Sequence, residues 1–173
     1  MKHNLIPANN LCKGIWDILL EWLDKYGVGK DCCLVSETAA VEKVFKERFP
    51  NTDFGFVSKY TKSNGSDYTV DFNIPFEPDK KYDSVYCQSL LEHVCRPSIA
   101  IENMARLCKP GGTIVISTHF PGFQIHRFPI DCVRFLKDFW VDLCKYLPIE
   151  LLEYEQDKFH VYIAYRRDER DFC

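Results

Sequence analysis

Tyr82-Asp83-Ser84-Val85-Tyr86-Cys87-Gln88-Ser89-Leu90-Leu91-Glu92-His93-Val94, with Pro97 soon after, decides how this chain is read. Ser84 to Gln88 is β-branched, aromatic and uncharged, the pattern of a short buried strand. It breaks into a polar turn at Gln88-Ser89. A helix starts at Pro97, a residue suited to a first helical turn, and carries Ile101, Met104, Ala105 and Cys108 on one side. Lys109-Pro110-Gly111-Gly112 stops it, because proline forbids continuation and the glycines supply a tight turn. A second buried strand, Thr113 to Thr118, follows at once. Strand, helix and strand at this spacing form a right-handed crossover unit of a parallel sheet.

The same run resembles a family. YDSVYCQSLLEHV, a proline, then MARLCKPGGTIVISTHF is similar to the central segment of S-adenosylmethionine-dependent methyltransferases with the Rossmann-like fold. In that family an aspartate-led strand, an LEHV turn and a KPGG turn recur in this order. The following HRFPIDCVRF resembles a segment found in the same group, often among small-molecule and sugar-modifying members.

Working outward, 173 residues suit one domain that buries roughly two thirds of its unfolded surface. A net charge of −3 without basic clusters gives no reason to expect nucleic acid. No uncharged run approaches the ~20 residues of a membrane span, and no apolar leader is visible. The nine cysteines include no CxxC pair and sit mostly in apolar runs, as reduced thiols in a cytoplasmic protein do. Paired ligand spacing is missing, so no metal site is expected.

Residues 1–29 read as a helical lead-in, with Leu11, Ile15, Ile18, Leu19, Trp22, Leu23 and Tyr26 at helical spacing. Gly27-Val28-Gly29 precedes a strand, whereas a dinucleotide loop must follow one. Residues 30–167 form the main domain, and residues 168–173 a solvated tail. Its strands are Asp31 to Val35, Thr52 to Ser58, Tyr68 to Phe72, Ser84 to Gln88 and Thr113 to Thr118. A helix bearing Val41, Val44, Phe45 and Phe49 follows the first strand, and Thr61 to Asp67 is a polar loop. A helix carries Val133, Leu136, Phe139, Trp140, Leu143 and Leu147. Ile149 to Glu155 and Phe159 to Tyr165, joined by a short turn, must be antiparallel. The expected fold class is therefore α/β: five parallel strands plus a C-terminal antiparallel hairpin, with helices on both faces. That hairpin argues against an all-parallel nicotinamide-binding sheet.

Ligands of such sheets bind beyond the carboxyl ends of the strands, at the switch point. This gathers Val35, Ser36, Glu37, Thr38, Ser58, Asp71, Phe72, Gln88, Ser89, Leu90 and His93 around one crevice. The resemblance implies that S-adenosylmethionine is the cofactor there. It also implies that Asp71-Phe72 meets the adenine and that Gln88-Ser89-Leu90 lies beneath the cofactor. The family's three loop glycines fall on Ser36, Thr38 and Ala40. Its two acids, one of which holds the ribose, fall on Leu34 and Ser58. Each serine, threonine or alanine adds a Cβ, which strains any position that needs positive φ. Glu37 can substitute for the first acid if the loop redirects it.

After the fifth strand, His119, Phe120, His126, Pro129, Asp131 and Arg134 crowd the cleft mouth. His126 is a candidate base with Asp131 as its partner, since histidine titrates near neutrality. His119, Phe120 and Arg134 are candidate contacts to a small-molecule acceptor, Arg134 as a two-pronged anion clamp. The opposing reading has Asp131 capping the next helix and pairing with Arg134. The expected function is methyl transfer to a small polar or sugar-like molecule. The rival is a methyltransferase-like scaffold that has lost its cofactor.

Overall fold

A computed structural model describes residues 13–58, 68–127 and 130–172. The Thr61 to Asp67 loop, Pro129 and the first ten residues lie outside them. The strands are β1 (Asp31–Val35), β2 (Asp53–Ser58), β3 (Tyr68–Thr69), β4 (Tyr82–Gln88), β5 (Cys108–His119), β6 (Ile149–Gln156) and β7 (His160–Arg167). They form one sheet in the order β3-β2-β1-β4-β5-β7-β6. Every pair from β3 to β5 is parallel, while β7 runs antiparallel to both β5 and β6. This is the expected sheet, with the order reversing between β1 and β4.

Alternate strand residues face opposite ways. Cys32, Leu34, Tyr86, Val115 and Ala164 pack against α1 (Lys13–Tyr26) and α2 (Ala39–Arg48), which contribute Leu19, Leu23 and Phe45. Cys33, Val35, Val85, Cys87, Ile114 and Ile163 pack on the other face against α3 (Pro97–Leu107) and α4 (Lys137–Leu143), through Ile101, Met104 and Trp140. The adjacent Cys32 and Cys33 thus belong to different cores, and no disulfide occurs among the described residues. No described helix is long and apolar enough to cross a membrane.

The amino ends of the strands are tied together by one carboxylate. Asp83 Oδ2 accepts the N–H groups of Lys30 and Asp31, each at 2.9 Å, and Oδ1 meets Lys109 Nζ at 2.7 Å. A Cβ on Gly29 would sit 2.2 Å from Asp83 Cβ, so the Gly-Val-Gly run serves this joint. The KPGG stretch is built into β5 rather than preceding it. Two residue steps on β4, Tyr82 to Ser84, face five on β5, Cys108 to Thr113, and the surplus bulges outward. Gly112 lies against Asp83 O, where a Cβ would approach to 2.6 Å.

Two elements are shorter than expected. β3 ends at Thr69 because Asp71 Oδ1 accepts both Asn73 N–H and the Asn73 side-chain amide at 2.9 Å. That local turn competes with the ladder. α4 begins only at Lys137, which leaves Val133 and Leu136 in an extended approach. Cys132 N–H donates to Glu92 O at 2.7 Å, and Asp131 pairs with Arg134, so side-chain and loop bonds hold the segment outside a helix.

Candidate active site

At the switch point β1 and β4 both end in a left-handed serine: Ser36 at φ 58° and Ser89 at φ 51°. Ser36 N–H donates to Val57 O at 2.8 Å, and Ser89 N–H to Ser117 O at 2.9 Å, so neighbouring strands hold both turns. Thr38 is extended at φ −108° and Ala40 is helical, so neither needs a glycine. Of the three glycine-equivalent positions only Ser36 is strained, by about 1–2 kcal/mol. A left-handed turn at this point is thus held by a residue that carries a Cβ.

Glu37 leans across this point, its Oε1 accepting Gln88 N–H at 3.2 Å. Loss of solvent pushes its carboxyl up to about 8, against which only that N–H acts. Among the described residues no cationic group offsets that burial. Gln88 is in turn held by Tyr86 OH, 2.6 Å from Oε1. Val35, Leu90 and Phe72 are wholly buried. Phe72 packs edge-on against Phe76 within the core. Asp71 is exposed and engaged with Asn73, whose Oδ1 in turn receives Cys95 and Arg96 N–H at the start of α3. Ser58 closes β2, and only its backbone is described.

Beyond β4 and β5 lies a second cluster, centred on a residue that the sequence reading passed over. Glu92 sits in a 3-10 turn, Leu91–His93, with its side chain fully buried. Thr118 OH donates to its Oε2 at 2.7 Å. Its Oε1 accepts no hydrogen bond among the described residues, yet three imidazole nitrogens surround it. His119 Nδ1 lies at 3.2 Å, His126 Nε2 at 3.6 Å and His93 Nε2 at 3.7 Å. Burial opposes ionisation of Glu92, but His126, His119 and Thr118 outweigh it and hold the carboxyl below its ordinary range. His119 stacks on Phe123, with ring centroids 3.8 Å apart, and burial lowers its pKa to about 4. His119 is therefore neutral at pH 7. Its Nδ1 lies 3.0 Å from His126 Nε2. Phe120 packs partly into the core, its N–H donating to Phe159 O at 2.7 Å.

Asp131 and Arg134 pair with each other, as the opposing reading has it. Asp131 Oδ2 accepts the backbone N–H of His126 at 2.8 Å and Arg134 Nη2 at 2.7 Å, while Oδ1 meets Arg134 Nη1. The guanidinium holds Asp131 well below the usual carboxylate range. Arg134 also donates to Val133 O at 2.9 Å. Its fork is spent inside the loop and does not reach outward as an anion clamp. Asp131 braces the loop that carries His126, and the group beside the His126 ring is Glu92. One signal for Glu92 was in view: an acid inside the apolar run Leu90-Leu91-Glu92-His93-Val94 is costly to bury unless it has a task.

Comparison with known proteins bears on this arrangement. The family described as "Methyltransferase domain" matches residues 16–116, more than half of the chain. The ubiquinone biosynthesis O-methyltransferase of Coxiella burnetii is 37% identical over 60 residues, 35% of this chain and 26% of that protein. The chain thus matches about a quarter of the length of that relative. Among solved structures, the N-methyltransferase NodS from Bradyrhizobium japonicum WM9, in complex with S-adenosyl-L-homocysteine, superposes with a TM-score of 0.63. It is 13% identical, covering 90% of this chain and 87% of NodS. The [4+2]-cyclase SpnF superposes at 0.64 with 14% identity, covering 88% of this chain and 81% of SpnF. At such identity these structures speak for the fold alone, and the fold also hosts a cyclase. With the matched family spanning α1 to β5, the chain belongs to the S-adenosylmethionine-dependent methyltransferases of Rossmann-like fold.

Proposed function

We propose that this chain binds S-adenosylmethionine at the β1/β4 switch point and methylates a small polar, sugar-like acceptor under the His119 to Arg134 segment. The observation that carries the reading is His126, half-exposed at the cleft mouth and backed by the buried Glu92 carboxylate. When bound, the cofactor supplies a methyl group activated by the sulfonium. The chain's own part is to align an acceptor oxygen and remove its proton. His126 Nε2 is turned inward to His119 and Glu92, which leaves Nδ1 as the nitrogen able to take that proton. Glu92 stabilises the imidazolium that results. Glu37, drawn into its ionised form by a cationic ligand, would hold the methionine end.

Titration calorimetry with S-adenosylhomocysteine tests the reading, and binding weaker than in a glycine-loop relative is expected. Absence of heat at millimolar ligand favours the second reading, a scaffold that has lost its cofactor. The observation behind that reading is the pair of Cβ atoms on Ser36 and Ser89, set in turns that bare backbone would otherwise fill.

A further inference from the structure

Four side chains drawn from three separated segments converge at the acceptor end of the cleft. Glu92 and His93 come from the 3-10 turn, His119 from the end of β5, and His126 from the loop beyond it. The ligand atoms of Glu92, His93 and His126 all lie within 4.8 Å of one another. Around Glu92 Oε1 the nitrogens of His119, His126 and His93 stand at 3.2, 3.6 and 3.7 Å, and His126 Nε2 is 3.0 Å from His119 Nδ1. Zinc bound tetrahedrally at 2.0–2.2 Å places its ligands about 3.3–3.5 Å apart. We propose that Glu92, His93 and His126 form a three-ligand binding site, with His119 at its edge, for a transition-metal dication of the zinc class.

Two features distinguish this cluster from an ordinary polar core. Glu92 Oε1 is fully buried and accepts no hydrogen bond among the described residues, while its sister oxygen is fixed by Thr118. A carboxylate left this way is expensive unless a cation faces it. His93 Nδ1 lies 2.6 Å from Ile130 O, a carbonyl that can only accept. Nδ1 therefore carries the hydrogen, and in the neutral ring Nε2 turns a lone pair toward the carboxylate, a contact that a cation between them would make favourable. A backbone carbonyl on the far nitrogen is how ligating histidines are commonly oriented. Two imidazoles and one carboxylate select zinc, cobalt or nickel over magnesium, which prefers oxygen and octahedral geometry.

Binding of the ion does not depend on methyl transfer. Only its consequence rests on the proposed function. In the loaded site His126 is a ligand, and an acceptor hydroxyl reaching the ion from the exposed side would lose its proton to solvent more readily.

The full chain, stripped with chelator and dialysed, is titrated with ZnCl2, and a parallel sample with CoCl2. One ion per chain is expected, with the visible absorption of tetrahedral Co2+ in nitrogen and oxygen ligands. His126→Ala, at the exposed edge of the cluster, and Glu92→Gln should each weaken binding tenfold or more. Circular dichroism establishes that each variant is folded; His126→Ala suffices if Glu92→Gln is not. His160→Gln, whose ring lies 5.4 Å from that of His119, should bind as the parent does. The exposed Cys95 and Cys132, with sulfurs 3.3 Å apart, are the competing ligands. A thiolate charge-transfer band, or binding lost in Cys95→Ser/Cys132→Ser but kept in His126→Ala, overturns the proposal. So does the absence of any uptake. Failure of zinc with S-adenosylhomocysteine still bound refutes the metal site alone, whereas the reverse result refutes the proposed function alone.

Discussion

The two ends of the cleft are furnished in opposite ways. At the β1/β4 switch point serines occupy the left-handed turns and Glu37 is the main ionisable group. Beyond β5 the described part of the loop holds no helix or strand of the sheet, yet an anion, four histidine rings and a stacked phenylalanine gather around it. One end sets its side chains on tight turns, while the other gathers side chains on irregular backbone. Selection for binding a large cofactor acts on backbone access, whereas proton handling acts on the placement of a few titratable groups.

The sharpest way to break this contrast is at the histidine end. His126→Ala should lower turnover by about a hundredfold or more and leave S-adenosylhomocysteine affinity nearly unchanged. Equal losses in both, by kinetics and calorimetry, would merge the two ends into one site. Next in size is the acid limb of stability. His119 has a folded pKa of about 4 against an ordinary 6.5, so its contribution is complete above pH 6.5 and is lost as pH falls toward 4. Urea titrations over that window should show a loss of about 2–3 kcal/mol that His119→Asn removes.

At the cofactor end the sign is reversed. Glu37, raised from 4.5 to about 8, favours the fold most at low pH, and stability declines as pH rises between those values. Glu37→Gln should therefore be the more stable protein at pH 8.5, by about 1–2 kcal/mol after allowance for partial solvent access. Bound cofactor should abolish that difference. The smallest effect is expected from Ser36→Gly, which removes a strained Cβ at a cost in chain entropy. It should strengthen S-adenosylhomocysteine binding by about 1 kcal/mol, near fivefold, with little change in melting temperature. Unchanged affinity would mean that this Cβ does not face the ligand.

Strands and helices were legible because hydrophobic period and turn residues act locally. Asp31–Val35 and the Pro97 helix start follow from such signals, and the antiparallel hairpin follows from a connection too short for anything else. Errors arose where a side chain captured the backbone. Asp71 ended β3 early through Asn73, and the Asp131–Arg134 pair kept Val133 and Leu136 out of α4. Period alone does not register such competition. Glu92 was missed for a different reason. Its significance lies in Thr118, His119 and His126, which reach it only across the sheet and loop, and no spacing rule encodes that convergence.

The Asp83 joint has a mechanical consequence. It locks Lys30, Asp31 and Lys109 at one rim of the sheet, opposite the crevice. The central strands are then like the ribs of a fan pinned at the handle. Thermal motion is suppressed at the pin and grows toward the free rim, where loops must part to admit a ligand. Amide exchange should follow that gradient, with the Lys30 and Asp31 protons among the last to leave and those of Ser36 and Ser89 well ahead of them.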